Sequence, residues 1–261
     1  MVQQRIIVVD DRVYRPAGWW TPTVHALLEY LHGVGFTCVP KPFGVVDGTE
    51  VLGFIQGESG AVGWQRAVPE AGLRSLARLL RDYHQAVAGF VAPDGACWAL
   101  SDRPAQSGEV ICHGDFGPWN VIWDGLRPVG LVDFDFAQPG DALDDAAYAL
   151  EYLAPFRDDA HAMRWQGFTA PPDRVRRIEL FAEEYGMATG EGLVEAVIRR
   201  QQLTGRNVRA LAERGLEPQR SWVADGFCDE LASRVQWSKD NRALFTSRTC
   251  VRSQGDSPSP A

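Results

Sequence analysis

Between Ile111 and Asp133 a few polar residues are set into short apolar segments, and this arrangement limits what the chain can fold into. The stretch reads Ile111-Cys112-His113-Gly114-Asp115-Phe116-Gly117-Pro118-Trp119-Asn120, then Val121-Ile122-Trp123, then Val129-Gly130-Leu131-Val132, with Asp133 next. Short apolar runs bounded by glycine and proline predict three β segments, at 109–111, 121–123 and 129–132. Asp115 and Asn120 then sit on one tight loop, and Asp133 ends the last strand. Gly114, Gly117 and Pro118 suit a loop that turns sharply and lets a ligand approach the backbone.

Phosphoryl transfer from a nucleotide needs an in-line acceptor hydroxyl, a carboxylate to orient it and take its proton, and a divalent cation on the phosphates. Magnesium takes oxygen ligands, often a carboxylate, a carboxamide and water beside the phosphates. Asp115 can be the base, and Asn120 with Asp133 can hold the cation. A second reading keeps the metal and drops the nucleotide: His113, Asp115, Asp133 and Asp135 as ligands of a metal-dependent hydrolase. That reading leaves Asn120 unexplained.

The rest of the chain frames this loop. Ile6–Val9 and Val13–Arg15 flank Asp10-Asp11-Arg12 as one hairpin, and 43–46 with 50–55 form another through Asp47-Gly48. Thr21-Pro22 reads as a helix start, with Thr21 as cap, and Val24, Leu27, Leu28 and Leu31 follow at helical spacing. After the polar break Gln56–Gly60, Leu73, Leu76, Ala77, Leu80 and Val87 mark an amphipathic helix. From Asp141 on, helices are expected at 141–154, 173–187, 191–213 and 219–240. The expected architecture is α+β and bilobal: a β-rich small lobe over 1–57, a mainly helical lobe over 58–245, and a disordered tail over 246–261.

The pattern His113-Gly114-Asp115 with Asn120 and Asp133 resembles the aminoglycoside phosphotransferase and choline kinase family. It parallels the catalytic loop of protein kinases, with Gly114 where those enzymes carry arginine. Gly140–Ala147, Val13–Gly18, Thr21–Leu28 and Leu76–His84 extend the likeness over most of 6–160. The resemblance implies a protein kinase-like fold, ATP (or GTP) and Mg2+ as cofactors, and a small-molecule hydroxyl acceptor. It implies Asp115 as catalytic base and Asn120 and Asp133 as metal ligands. Backbone at Phe54, Ile55 and Gln56 would grip the nucleobase, Arg15 would touch phosphate, and Asp145 would support the catalytic loop. His113 reads as a structural member of the loop, and Asp135 as a metal contact or a turn cap.

Two departures from the family pattern stand out. Few residues precede Arg15 and none forms a glycine-rich loop, so the small lobe is expected to be shortened. A binding module without turnover is therefore the alternative function. The helix at 22–34 should offer Arg15 an acid, yet Glu29 is its only one; His25 and His32 are its other polar candidates.

Composition narrows the partners. The chain has 34 acidic and 26 basic residues and a net charge of −8, which argues against a basic nucleic-acid face. That charge suits a cationic substrate and equally suits solubility alone. The five cysteines, Cys38, Cys97, Cys112, Cys228 and Cys250, include no Cys-x-x-Cys pair, so reduced structural thiols are expected rather than a zinc site or disulfides. No apolar run is long enough to span a membrane and Met1–Arg5 has no signal-peptide layout, so a cytoplasmic location is expected. Trp19-Trp20 and His84 read as packing residues, Asp141 and Asp144 as cap or first-turn residues, and Glu151, Asp158 and Asp159 as solvated helix ends. Oligomeric state is left open.

Overall fold

The computed structural model describes residues 6–189 and 191–246. The tail expected over 246–261 therefore lies, from 247 on, outside the described residues. The chain opens with strands β1 (Ile7–Val9) and β2 (Arg12–Pro16), helix α1 (Thr21–Gly33), and strands β3 (Pro42–Val46) and β4 (Thr49–Gly53). These strands form one antiparallel sheet in the order β1-β2-β4-β3. The second hairpin turns at Asp47-Gly48, where both residues have positive φ, as its asparagine-or-aspartate-then-glycine chemistry allows. The first turns at Asp10, also at positive φ. The Asp-Gly signal thus set the register of β3 against β4, whereas nothing local foretold that β2 would pair with β4 across α1 and β3.

Val24, Leu27, Leu28 and Leu31 of α1 are buried in the main core. Thr21 is not the cap: it is the first helical residue, and its hydroxyl accepts from the Gly18 N–H at 3.0 Å. Helices α2 (Val62–Ala67) and α3 (Glu70–Val87) follow. The apolar face of α3 is fully buried at Leu73, Leu76, Ala77, Leu80 and Tyr83, and truncating one of these leucines would cost about 2–5 kcal/mol. Short α2, absent from the sequence reading, bears on the loop that carries Asn120. A β-carbon at Gly63 would fall 1.8 Å from the Pro118 carbonyl oxygen, so only glycine lets helix and loop meet so closely.

Strands β5 (Val110–Cys112), β6 (Val121–Asp124), β7 (Arg127–Leu131) and β8 (Gln138–Gly140) build the loop region. β6 pairs with β7, and β5 pairs with β8. β8 was not expected, because Pro139 interrupts a strand of three residues; it is held only as a two-stranded edge, where a missing donor is tolerated. The remaining helices are α4 (Ala142–Leu153), α5 (Asp159–Gln166), α6 (Arg174–Tyr185), α7 (Glu191–Glu213), α8 (Gln219–Ala224) and α9 (Phe227–Asp240). The helix expected over 219–240 is two, because Gly226 between them is left-handed at φ 82°. The fold is thus a bilobal α+β arrangement, with a four-stranded sheet and one helix followed by a mainly helical part that carries two small two-stranded sheets.

The four described cysteines are free thiols. Among the described residues no helix is long and apolar enough to cross a membrane.

Candidate active site

His113 anchors the loop after β5. Its Nε2 donates to the Val132 carbonyl at 3.0 Å, and its Nδ1 accepts from the Asp115 N–H at 3.2 Å. Burial drives the ring below the ordinary histidine value despite nearby Asp145, so this neutral tautomer ties the Asp115 loop to the end of β7. Both ring nitrogens are spent on backbone. The hydrolase reading that made His113 a metal ligand therefore fails, and no three His, Cys, Asp or Glu side chains among the described residues group as a metal site.

Asp145, in the first turn of α4, receives the His113 N–H at 2.5 Å and the Gly114 N–H at 2.8 Å, and contacts His84 Nε2 at 3.1 Å. Burial pushes this carboxyl up, but the His84 bond and charge outweigh it and hold it below the usual range. Gly114 sits at φ 81°, and a β-carbon there would meet the Phe136 carbonyl at 2.1 Å. Backbone angle and space both exclude any side chain at that position.

Asp115 and Asn120 face each other across the loop. Asn120 Nδ2 donates to Asp115 Oδ2 at 2.8 Å and to the Asp115 carbonyl at 3.0 Å, which turns its Oδ1, the better cation ligand, elsewhere. The Tyr148 hydroxyl donates to Asp115 Oδ1. Burial raises Asp115 to about 6, with the Tyr148 bond opposing and the Asp133 charge adding to the rise. Burial and the Asp115 charge push the Tyr148 phenol well above its ordinary value, so it keeps its proton and donates.

Asp133 follows β7 in the left-handed conformation, φ 66° and ψ 66°. A non-glycine residue held there marks local strain of the kind found at functional sites. The Val132 N–H donates to the Asn120 carbonyl at 2.9 Å, so the two segments that carry the candidate cation ligands are bonded to each other. Arg15 of β2 reaches Asp133 at 3.2 Å and Asp135 at 2.6 Å, and its Nε meets Glu50. Trp20 Nε1 also donates to Asp135, at 3.1 Å. Asp135 therefore takes an ion pair and an indole bond.

The acid opposite Arg15 does not come from α1. Arg15 and Glu50 are direct cross-strand partners on β2 and β4, and His25 of α1 touches the other Glu50 oxygen at 2.9 Å. Glu29 is exposed, and His32 bonds the Val39 carbonyl. Burial opposes the Arg15 charge, but Asp135, Glu50 and Asp133 outweigh it and raise its pKa. Three carboxylates on one guanidinium leave excess negative charge, which fits a site for a divalent cation.

Three cavities flank this group: one of about 470 Å³ lies at Arg15, Asp133, Asp135 and Trp20, and two smaller ones reach Asp133 and Asp115. The first of these two, of about 290 Å³, is lined by aliphatic residues of the sheet with Phe54, Ile55, Asn120 and Asp133. The β1–β2 hairpin contributes Val8 and Val13 to it, so a strand does precede Arg15, although its turn carries aspartates and no glycine. The Phe54 N–H is donated to the Asp11 carbonyl at 2.9 Å, and Gln56 is exposed and outside the lining. The other cavity, also about 290 Å³, contains Asp115 and lies among the helices.

A family model described as "Phosphotransferase enzyme family" matches residues 91–180. The trifolitoxin immunity protein of Rhizobium leguminosarum bv. trifolii is 33% identical over 195 residues, covering 71% of this chain and 72% of that protein. The chain belongs to the aminoglycoside phosphotransferase family. Solved structures share its fold. An amicoumacin kinase in complex with AMP-PNP, Ca2+ and Ami aligns with TM-score 0.58 at 14% identity, covering 90% of this chain and 83% of that one. An APH(2″) enzyme in complex with GDP and kanamycin aligns with TM-score 0.54 at 15% identity, covering 88% and 87%.

Three residues of this candidate site escaped the sequence reading. Tyr148 lies three residues after Asp145 on α4, hence on the same helix face; that spacing was a usable signal. Glu50 gave none, because its pairing with Arg15 is non-local. Arg200 of α7 donates to the Gly114 carbonyl at 2.7 Å and stacks over the Tyr148 ring at 4.6 Å, from a helix with no motif of its own. Other expectations resolve simply. Asp141 caps α4 and Asp158 caps α5, while Glu151 is buried against Arg157 rather than solvated.

Tyr148→Phe removes a donor that favours the ionised form of Asp115. Its loss should raise that group above its present value of about 6, by about one pH unit for one charge-assisted bond. If Asp115 must be ionised to act, the acidic limb of kcat/KM moves to higher pH by that amount. A pH–rate profile of the variant beside the parent checks this; an unmoved limb means the tyrosine does not tune Asp115.

Proposed function

We propose that this chain is an O-phosphotransferase that uses ATP, or GTP, to phosphorylate a hydroxylated small molecule. Asp115 is the base, Asn120 and Asp133 hold Mg2+, and Arg15 meets phosphate. The segment Phe54–Gln56 runs along the nucleobase, with Ile55 and Gln56 the residues left to offer backbone. The domain split at residue 57 and a cytoplasmic setting, where nucleotide is supplied, belong to the same proposal. Dependence on divalent metal and nucleotide is in line with the AMP-PNP, Ca2+ and GDP complexes of the structural neighbours. The relative's name suggests protection against a toxic compound as the biological setting.

One observation carries the reading. Asp115 opens on one of the two smaller cavities, Asn120 and Asp133 on the other, and a 2.8 Å bond from Asn120 to Asp115 joins them. An acceptor hydroxyl beside Asp115 and a nucleotide beside Asp133 would meet across that bond, which is what transfer between two bound molecules requires. Bound cation would screen phosphate charge. The protein's own groups would orient the hydroxyl at Asp115 and hold phosphate oxygen at Arg15, in place of the carboxylates that now occupy NH1 and NH2.

Phosphorus NMR of the chain with ATP, magnesium and a panel of hydroxylated acceptors tests this. A phosphomonoester appearing as ATP is consumed supports it; nucleotide binding without product on any acceptor counts against it. The observation that favours a non-transferring binding module is the aspartate turn between β1 and β2, which puts negative charge on the hairpin that faces the nucleotide cavity.

A further inference from the structure

The cavity that holds Asp115 has walls of a definite chemistry. Trp119, Tyr148, Tyr152, Trp222 and Phe227 supply aromatic surface, and Val208, Leu211 and Leu231 supply aliphatic surface. Its cations are Arg200 and Arg234. Among the described lining residues Asp115 is the only carboxylate. Arg200 has no carboxylate within ion-pair distance among the described residues; it spends its donors on Gly114 and Thr204. Arg234 pairs with Glu230, which is half-exposed and outside the lining. Thus the net negative charge of the chain, −8, is not concentrated here. An acceptor bearing several ammonium groups would meet one carboxylate beside the unpaired Arg200 and the Glu230-paired Arg234, and burying such charges without partners is costly.

A second observation is independent of charge. Gln219 of α8 lines the same cavity and is 5% exposed. Its buried Oε1 has no hydrogen-bond partner. A buried carboxamide oxygen left unpaired is costly, and a ligand N–H or O–H that reached it would remove that cost.

We propose that this pocket takes a neutral or anionic hydroxyl compound with a flat apolar group and a hydrogen-bond donor for Gln219, and that it does not take a polycation. The inference rests on the phosphotransferase reading for the word acceptor, and names that acceptor's class. The apolar group lies among the aromatic side chains, the donor meets Gln219, and the hydroxyl is presented to Asp115. Transfer then forms the bond from the acceptor oxygen to the γ-phosphorus and breaks the bond from that phosphorus to the bridging oxygen. The nucleoside diphosphate leaves, and the hydroxyl proton passes to the Asp115 carboxylate.

Calorimetric titration of the full chain without nucleotide tests the pocket apart from the chemistry. The probes are chloramphenicol (a neutral aryl diol with one amide N–H), 1-phenyl-1,2-ethanediol, 4-hydroxyphenyllactate and kanamycin, a hydroxylated polycation. At least one of the first three should bind about tenfold or more tightly than kanamycin. Trp222→Ala and Gln219→Leu should each weaken that probe about tenfold while kanamycin is unaffected, with unchanged thermal midpoints showing that both variants fold. Kanamycin binding as tightly as the best aryl probe, or aryl binding indifferent to both substitutions, overturns the proposal. Tight aryl binding with no phosphoryl transfer from ATP would sink the enzymatic reading instead, so the two failures are told apart.

Discussion

Asp115→Asn is expected to lower kcat by about 10²–10⁴-fold, the usual contribution of a positioned general base, with nucleotide affinity nearly unchanged. The carboxylate is half-buried in the cavity wall and raised to about 6, close enough to neutrality to take a proton from a hydroxyl and return it to solvent after product leaves. Asparagine keeps the shape and can still accept one hydrogen bond, but it cannot accept the acceptor's proton. Asn120 and Asp133 line the other cavity, so binding of the nucleotide should survive. Steady-state kinetics beside a nucleotide titration separates these effects. An active Asp115→Asn variant would remove this residue from the chemistry.

Asp145→Ala should cost about 3–5 kcal/mol of stability, the range for removing one partner from a buried charged group. Asp145 is 1% exposed and takes the His113 and Gly114 N–H groups as well as His84. Alanine leaves two backbone donors and an imidazole in the core without their acceptor. Against a total stability of about 5–15 kcal/mol, that is enough to lower Tm by roughly 10 °C. Urea unfolding measures it. A loss below about 1 kcal/mol would mean that water or a rearranged His84 satisfies the loop, and that Asp145 is not its foundation.

The sequence made one part of this architecture plain and hid another, for physical reasons. The placement of Asp115, Asn120 and Asp133 was legible because it depends on local geometry, a tight glycine-proline loop and a strand end, while the contact of Asp145 with that loop was expected from the family resemblance alone. Gly114 was legible because loop chemistry shows in residue type. Glu50 was not, because an antiparallel partner is chosen by the register of strands separated by a helix and a third strand. Looking for an acid on α1 placed the charge on the wrong element: α1 contributes His25, which grips Glu50 from behind. Arg200 and Gln219 were hidden because helices α7 and α8 reach the site only through tertiary packing, and single polar residues on amphipathic helices carry no positional signal. The strand β8 disagreed with propensity outright, and its pairing with β5 is a tertiary outcome.

The cavity at Asp115 differs in character from the chain's bulk charge. An acidic chain invites the thought of a cationic substrate, yet the residues around Asp115 are aromatic, aliphatic and basic. Charge over a whole surface reports on solubility; the composition of one cavity reports on what can be desolvated inside it.

The central claim is that the sheet-side cavity holds a nucleotide with its metal at Asp133 and Asn120. Calorimetric titration of the parent and of Asp133→Ala with ATP, each with and without magnesium, tests it most directly. The account predicts one-to-one, magnesium-dependent binding to the parent and at least about tenfold weaker binding to the variant. No heat from the parent at millimolar ATP, or equal binding by parent and variant, would contradict it.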